Sequence, residues 1–235
     1  MVAGDVGLAR RLGKVAAATT QQRVEVGSLE AVDGAGLGLR ERSSQIHGVA
    51  LGDASAETEA LAWRDAPNEL LAWQEARTGL PIIDAAMRQL LETGWMHNRL
   101  RMVVAMFLTK NLLIDWREGE RFFMRHLIDG DLAANNGGWQ WSSSTGTDSV
   151  PYFRIFNPLS QSEKFDAEGV FIKHWLPQIN EMNKKDLHNR ARLDGLFGVT
   201  DYPSPIVNLS TSRERALAAF KNLPSRQGLS PPESL

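Results

Sequence analysis

The chain has 235 residues and a mass of 26.1 kDa, which suits one or two domains with a substantial core. Its formal net charge of −2 excludes a protein basic over its whole surface, though not a local basic patch. It has no cysteine, which excludes disulfides, thiolate catalysis, Cys-ligated zinc and iron–sulfur clusters, and no apolar run is long enough to span a membrane. No apolar stretch of signal-peptide length precedes Arg10 and Arg11, so a cytosolic protein without a membrane partner is expected.

The composition changes along the chain. Residues 1–62 contain no aromatic residue and no proline, although the whole chain has seven Trp, nine Phe and two Tyr. The same stretch holds nine of the 20 glycines. With little to fill a core, it reads as a loosely packed helical arm or a partly disordered lead. Within it, 8–18 has the pattern of a short amphipathic helix. Gly34, Gly36 and Gly38 resemble a phosphate loop only faintly, because Leu39 stands where a dinucleotide fingerprint needs its third glycine and no GK[ST] is present.

From Trp63 to Asn222 the pattern is that of packed helices without alternating strands. Pro81 sits at the favoured first position of a helix; Ile82, Ile83, Ala86, Met87, Leu90 and Leu91 recur at three-to-four spacing, and Gly94 stops it. A second helix is predicted over 96–116, with Leu100, Val103, Val104, Phe107, Leu108 and Leu112 as its stripe. A third, short helix carries Phe122, Phe123 and Leu127. A fourth covers 170–179 with an interruption at Pro177, and a fifth covers 213–221. The tail from Pro224, with Pro231, Pro232 and several serines, reads as disordered.

Some residues ask for more than a core. The side of the second helix opposite its apolar stripe carries Asn98, Met102 and Ala105, with Trp95 and Met106 nearby, where a solvated face would carry Lys and Glu. A helix apolar on both faces is covered on both, here by another helix or by a large flat ligand. Arg99 and Arg101 flank that face and need partners or phosphates if buried. The run IDGDLAANNGGWQW at 128–141 pairs acids, amides, glycines and tryptophans. Asp129 and Asp131 suit a helix N-cap and a first-turn acid. Each helical glycine costs about 1 kcal/mol relative to Ala, so Gly137 and Gly138 together suggest close backbone approach to something. If this run is helical, Asn135 and Trp139 share a face. The seven tryptophans all lie between 63 and 175. They suit aromatic core packing or, because indole oxidises readily, electron transfer from a buried redox cofactor to the surface. The five histidines show no ligand spacing, so no metal site is expected, and no GxSxG elbow supports a hydrolase.

Together these stretches resemble the DNA photolyase/cryptochrome family, in its C-terminal FAD-binding helical domain. The likeness runs from Trp63 to Ile206. It rests on LAWQEARTG at 71–79, PIIDAAMRQL at 81–90, TGWMHNRLRM at 93–102, LIDWREG at 113–119, the 128–141 run and YFRIFNP at 152–158. Within the family it looks most like the bacterial enzymes that act on cyclobutane pyrimidine dimers. The resemblance implies a mainly α fold, a helical FAD-binding domain of the photolyase type truncated on its N-terminal side. It divides the chain into an atypical aromatic-free segment 1–62, a photolyase-like FAD- and lesion-binding domain 63–222 and a disordered tail 223–235.

The resemblance also implies the site. Asn135 would face flavin N5. Asp129 and Asp131 match acids near the flavin and ribose, Arg101 pairs with the first of them, and Asn98 lies against both cofactor and lesion. Trp139, Trp116 and Trp63 match a photoreduction chain running from flavin to surface. Met102 and Trp141 would pack on the flipped-out dimer, and Arg99 and Arg154 would contact the DNA backbone around it. The implied activity is that of a deoxyribodipyrimidine photolyase, a carbon–carbon lyase: light-driven DNA repair by electron transfer from excited reduced FAD to a flipped-out cyclobutane pyrimidine dimer. Damaged DNA is the expected partner, and the expected location is the cytoplasm, at the nucleoid during repair. The family's antenna domain and FAD phosphate loop have no counterpart here, which leaves open a complementing chain, a cryptochrome-like photosensor without repair, or an inert fragment.

Overall fold

The computed structural model describes residues 56–146, 149–189 and 202–223. The predicted helix at 8–18, the glycine run at 34–38, residues 1–55 of the expected lead and the tail from Pro224 lie outside the described residues. Among the described residues there are helices and connecting turns but no strand.

A one-turn helix α1 (Ala56–Glu59) precedes α2 (Pro67–Gln74) and α3 (Pro81–Thr93). α3 begins on Pro81 and ends on Gly94 in the left-handed conformation (φ 69°), as the sequence predicts. It is buried on most sides, with Ile83, Met87 and Leu90 fully enclosed.

The helix predicted over 96–116 is not continuous. α4 spans Asn98–Met106, and Phe107–Asn111 forms a π-helical turn. Leu113 then turns left-handed (φ 55°), and a new helix, α5 (Trp116–His126), starts from the N-cap Asp115, whose carboxylate accepts from Arg117 N. The wider turn serves buried polar groups. Thr109 Oγ1 donates to Ala105 O (2.8 Å), Lys110 Nζ donates to Ser144 Oγ (2.8 Å), and Asn111 Nδ2 donates to Ser212 Oγ (2.9 Å). The enclosed Lys110 ammonium also lies 3.7 Å from the centre of the Phe220 ring. Continuous α-geometry would carry the Lys110 and Asn111 side chains around to other neighbours.

α6 (Leu132–Ser143) follows, then α7 (Pro158–Phe165), α8 (Val170–Trp175), a 3-10 turn at Pro177–Ile179, α9 (Lys184–Leu187) and α10 (Leu209–Lys221). The interruption at Pro177 is as predicted. α10 begins four residues before the predicted helix, because Asn208 caps it by accepting from Ser210 N and Thr211 N.

α5 and α6 pack together, as do α4 and α6, and α8 covers α3. Their shared core includes Trp73, Ile83, Leu108, Phe123 and Trp139; a smaller cluster joins Leu61, Leu113, Tyr152, Phe220 and Leu223. Asp84 ties the start of α3 to the segment at 202–206. Its carboxylate accepts from Thr78 N (2.8 Å), Thr78 Oγ1 (2.6 Å), Gly79 N (3.0 Å) and Tyr202 Oη (2.6 Å). Burial pushes this carboxyl above its ordinary range, against the pull of the four donors.

Candidate functional site

Most residues singled out in the sequence lie on α4, α6 and the turn between α5 and α6. On α4, His97 is the N-cap, its Nδ1 accepting from Arg99 N (3.1 Å). Asn98 is exposed and Arg99, Arg101 and Met102 are half-buried, whereas Ala105 and Met106 are enclosed. The uncharged second face of this helix is therefore buried toward its C-terminal end and open at its N-terminal end.

Arg101 is held in one pose. Its Nε donates to Met96 O (2.8 Å), and one terminal nitrogen reaches both carboxylate oxygens of Asp129 (2.9 and 2.8 Å). These side chains are 27% and 46% exposed, so in water the pair contributes at most about 1 kcal/mol to the fold. Asp131, by contrast, is the N-cap of α6, accepting from Ala134 N (2.8 Å). The two acids thus do different work: one caps a helix, and the other meets the arginine that the family resemblance assigns to it.

Asn135 and Trp139 share a side of α6, one half-buried and the other 2% exposed. Asn135 Nδ2 donates to the backbone oxygen of Glu120 (3.0 Å), with Glu120 Oε1 at 3.4 Å. This fixes the amide's orientation and leaves Asn135 Oδ1 without a partner among the described residues. Gly137 and Gly138 lie inside the helix, and a Cβ built on either meets nothing within 4 Å. The close approach expected of this pair is therefore not to any described part of the chain outside α6; the two adjacent glycines present bare backbone to open space.

Trp139 is packed as tightly as the glycines are open. Its ring lies on Gly119 of α5, where a Cβ would come within 2.1 Å of Trp139 Cη2. It meets Trp73 (centroids 6.1 Å apart) and Phe123 (5.1 Å) edge to face. Trp116 stands three residues before Gly119 on α5 and is buried, while Trp63 is half-buried and touches both hydrophobic clusters. Trp141 is half-buried beyond Trp139. Arg154 is exposed, its backbone N bonded to Pro151 O (2.9 Å).

Sequence reasoning missed three participants. Glu120 orients Asn135, Gly119 seats Trp139, and Trp73 is a fully buried ring neighbour of Trp139 whose indole N–H has no partner among the described residues. All three act through the packing of α2, α5 and α6, which periodicity along one helix does not encode.

A fixed arginine–carboxylate pair, an oriented amide and exposed helical backbone thus lie on neighbouring elements of a mainly α-helical domain. The family model described as "FAD binding domain of DNA photolyase" matches residues 42–222. The chain belongs to that family. It is 60% identical over 167 residues to the deoxyribodipyrimidine photo-lyase of Escherichia coli (strain K12), covering 71% of this chain and 35% of that protein. A bacterial class III photolyase from Agrobacterium tumefaciens superimposes with a TM-score of 0.69 at 40% identity, covering 80% of this chain and 41% of that one. A cryptochrome from Synechocystis sp. PCC6803 superimposes with a TM-score of 0.62 at 35% identity, covering 68% of this chain and 35% of that one. The fold is thus the mainly helical photolyase type, and the chain spans about 35% of the length of the curated relatives it matches.

Proposed function

We propose that this chain is the cofactor- and lesion-binding part of a light-driven DNA repair enzyme that splits cyclobutane pyrimidine dimers. The observation that carries the reading is the arrangement around α6: the Arg101–Asp129 pair before it and bare backbone at Gly137 and Gly138 within it. The residues present suit FAD, which when bound supplies light-driven one-electron chemistry.

The chain's own residues then divide the work. Arg101, Asp129 and Asp131 hold the polar parts of the cofactor. Asn135, its Nδ2 engaged by Glu120, presents Oδ1 as an acceptor to a ring N–H. Asn98, Met102 and Trp141 form a polar and aromatic wall for bases taken out of the stack. Arg99 and Arg154 meet DNA phosphates. Trp139, Trp116 and Trp63 carry an electron between the site and the surface; their burial falls in that order, from 2% exposed through 5% to half-buried, which supports the direction.

Repair is tested with the full chain, FAD and a chemical reductant on an oligonucleotide carrying one thymine dimer. Dimer loss under blue light but not in the dark is expected; intact dimers under both would contradict the reading. The Trp139→Phe variant separates the roles. It should lose light-driven reduction of the bound flavin yet still repair dimers when reduced chemically. Unchanged photoreduction would sink the assigned electron chain.

A further inference from the structure

Arg99 is the second residue of α4, and its guanidinium has no hydrogen-bond or ion-pair partner among the described residues. It is nevertheless not loose. Its Cζ lies 4.8 Å from the ring centroid of Phe165, the last residue of α7, and 5.5 Å from that of Phe156, just before the same helix. Both distances suit cation–π attraction. Phe165 is 53% exposed, so about half of its surface gains nothing from burial. Lys164 Nζ lies 5.5 Å from the same ring, so two cations gather at one exposed aromatic.

Ring faces and carboxylates hold an arginine with different consequences. A carboxylate would occupy the guanidinium fork and neutralise it. Aromatic faces restrict the side chain's rotamers while its N–H donors and its charge stay available. An arginine built this way is prepared for a planar or tetrahedral oxyanion, with part of the ordering cost already met before binding.

We propose that Phe165 and Phe156 are positioning residues that hold Arg99 as a preformed clamp for one phosphate of the DNA backbone. The inference deepens the repair reading and rests on the assignment of Arg99 to DNA. It adds two aromatic residues that touch no reacting atom but set the affinity of that contact. Phe165 carries more of this role, because it is the closer ring and gains little from burial.

The test uses the full chain with Phe165→Leu, Phe165→Tyr and Arg99→Gln variants. In the free protein, the Arg99 side-chain proton signals should be shifted upfield by the rings, as identified by their absence in Arg99→Gln. Phe165→Leu should remove most of that shift, and Phe165→Tyr should keep it. Binding is then measured against salt with a short duplex carrying one thymine dimer and with the undamaged duplex. Arg99→Gln should lower the salt slope by about 0.9, the value of one phosphate contact. Phe165→Leu keeps the Arg99 charge and should leave the slope near the parent value while weakening affinity about three- to fivefold, and Phe165→Tyr should restore the affinity.

An unchanged Arg99 shift in Phe165→Leu would overturn the clamp directly. So would a lost shift with unchanged affinity, if Arg99→Gln weakens binding. A slope insensitive to Arg99→Gln, or no binding to either duplex, would overturn the assignment of Arg99 to DNA and the clamp with it. Equal affinity for the two duplexes would contradict lesion recognition while the affinities of the Phe165 variants still decide the clamp.

Discussion

The two sides of α6 are built on opposite terms. On one side Trp139 is pressed onto the bare α-carbon of Gly119 and enclosed by Trp73 and Phe123. Elsewhere around the helix, an added Cβ at Gly137 or Gly138 would meet nothing within 4 Å outside the helix's own backbone, and each glycine weakens the helix by about 1 kcal/mol. Glycine is therefore used in two ways around α6: α5 lends Gly119 so that Trp139 can enter, and α6 keeps Gly137 and Gly138 of its own free of side chains. The first device stabilises the fold, whereas the second costs stability, a cost that the proposed cofactor contact accounts for.

The largest effect should come from breaking the closed side. Gly119→Ala puts a methyl group into the Trp139 ring, and backbone on both helices must give. A loss of about 3 kcal/mol in denaturant unfolding is expected, with the near-ultraviolet circular dichroism of the buried tryptophans reduced. A variant as stable as the parent would mean that α5 and α6 are not packed this closely.

A control on the closed region lies away from α6. Tyr202→Phe removes the hydroxyl that donates to Asp84 and should cost about 1–2 kcal/mol at neutral pH. Burial first, and then the charge of Asp84, raises the Tyr202 phenol well above its usual value of 10.0. Its contribution is accordingly complete below that value and lost as pH climbs through the raised folded value. The stability gap between parent and variant should close in strongly alkaline solution; a gap that widens there would reverse the assignment.

The smallest stability change has the opposite sign. Gly138→Ala should raise the thermal stability of the cofactor-free chain by up to about 1 kcal/mol, since nothing obstructs the methyl group and Ala favours the helix. The same change should weaken retention of FAD. Stabilisation without loss of FAD would show that the open side of α6 is not the cofactor's floor.

The elements legible in the sequence are those whose signals are local. Pro81 and Gly94 bracket α3, and Asn135 and Trp139 take the one-sided placement that i, i+4 spacing predicts once α6 is helical. The break between α4 and α5 was hidden because the apolar recurrence of Phe107, Leu108 and Leu112 continues across it. Its signals were the adjacent polar pair Lys110 and Asn111 inside an apolar stripe, and Asp115 with Glu118 in the spacing of a helix start. α7 was missed although Asn157 and Pro158 form an ordinary cap and first position. Asp129 could not be separated from Asp131 by spacing alone, because what distinguishes them is Arg101, 28 residues earlier in the chain. The aromatic hold on Arg99 was equally invisible, since it joins residues 99, 156 and 165 through tertiary packing.

The most direct test of the open side is a visible absorption spectrum of the purified full chain after reconstitution with FAD and desalting, taken beside Gly138→Ala. The account predicts a structured flavin band that stays with the parent chain and is diminished in the variant. A parent chain left colourless by desalting would contradict the claim that this face of α4 and α6 holds the cofactor.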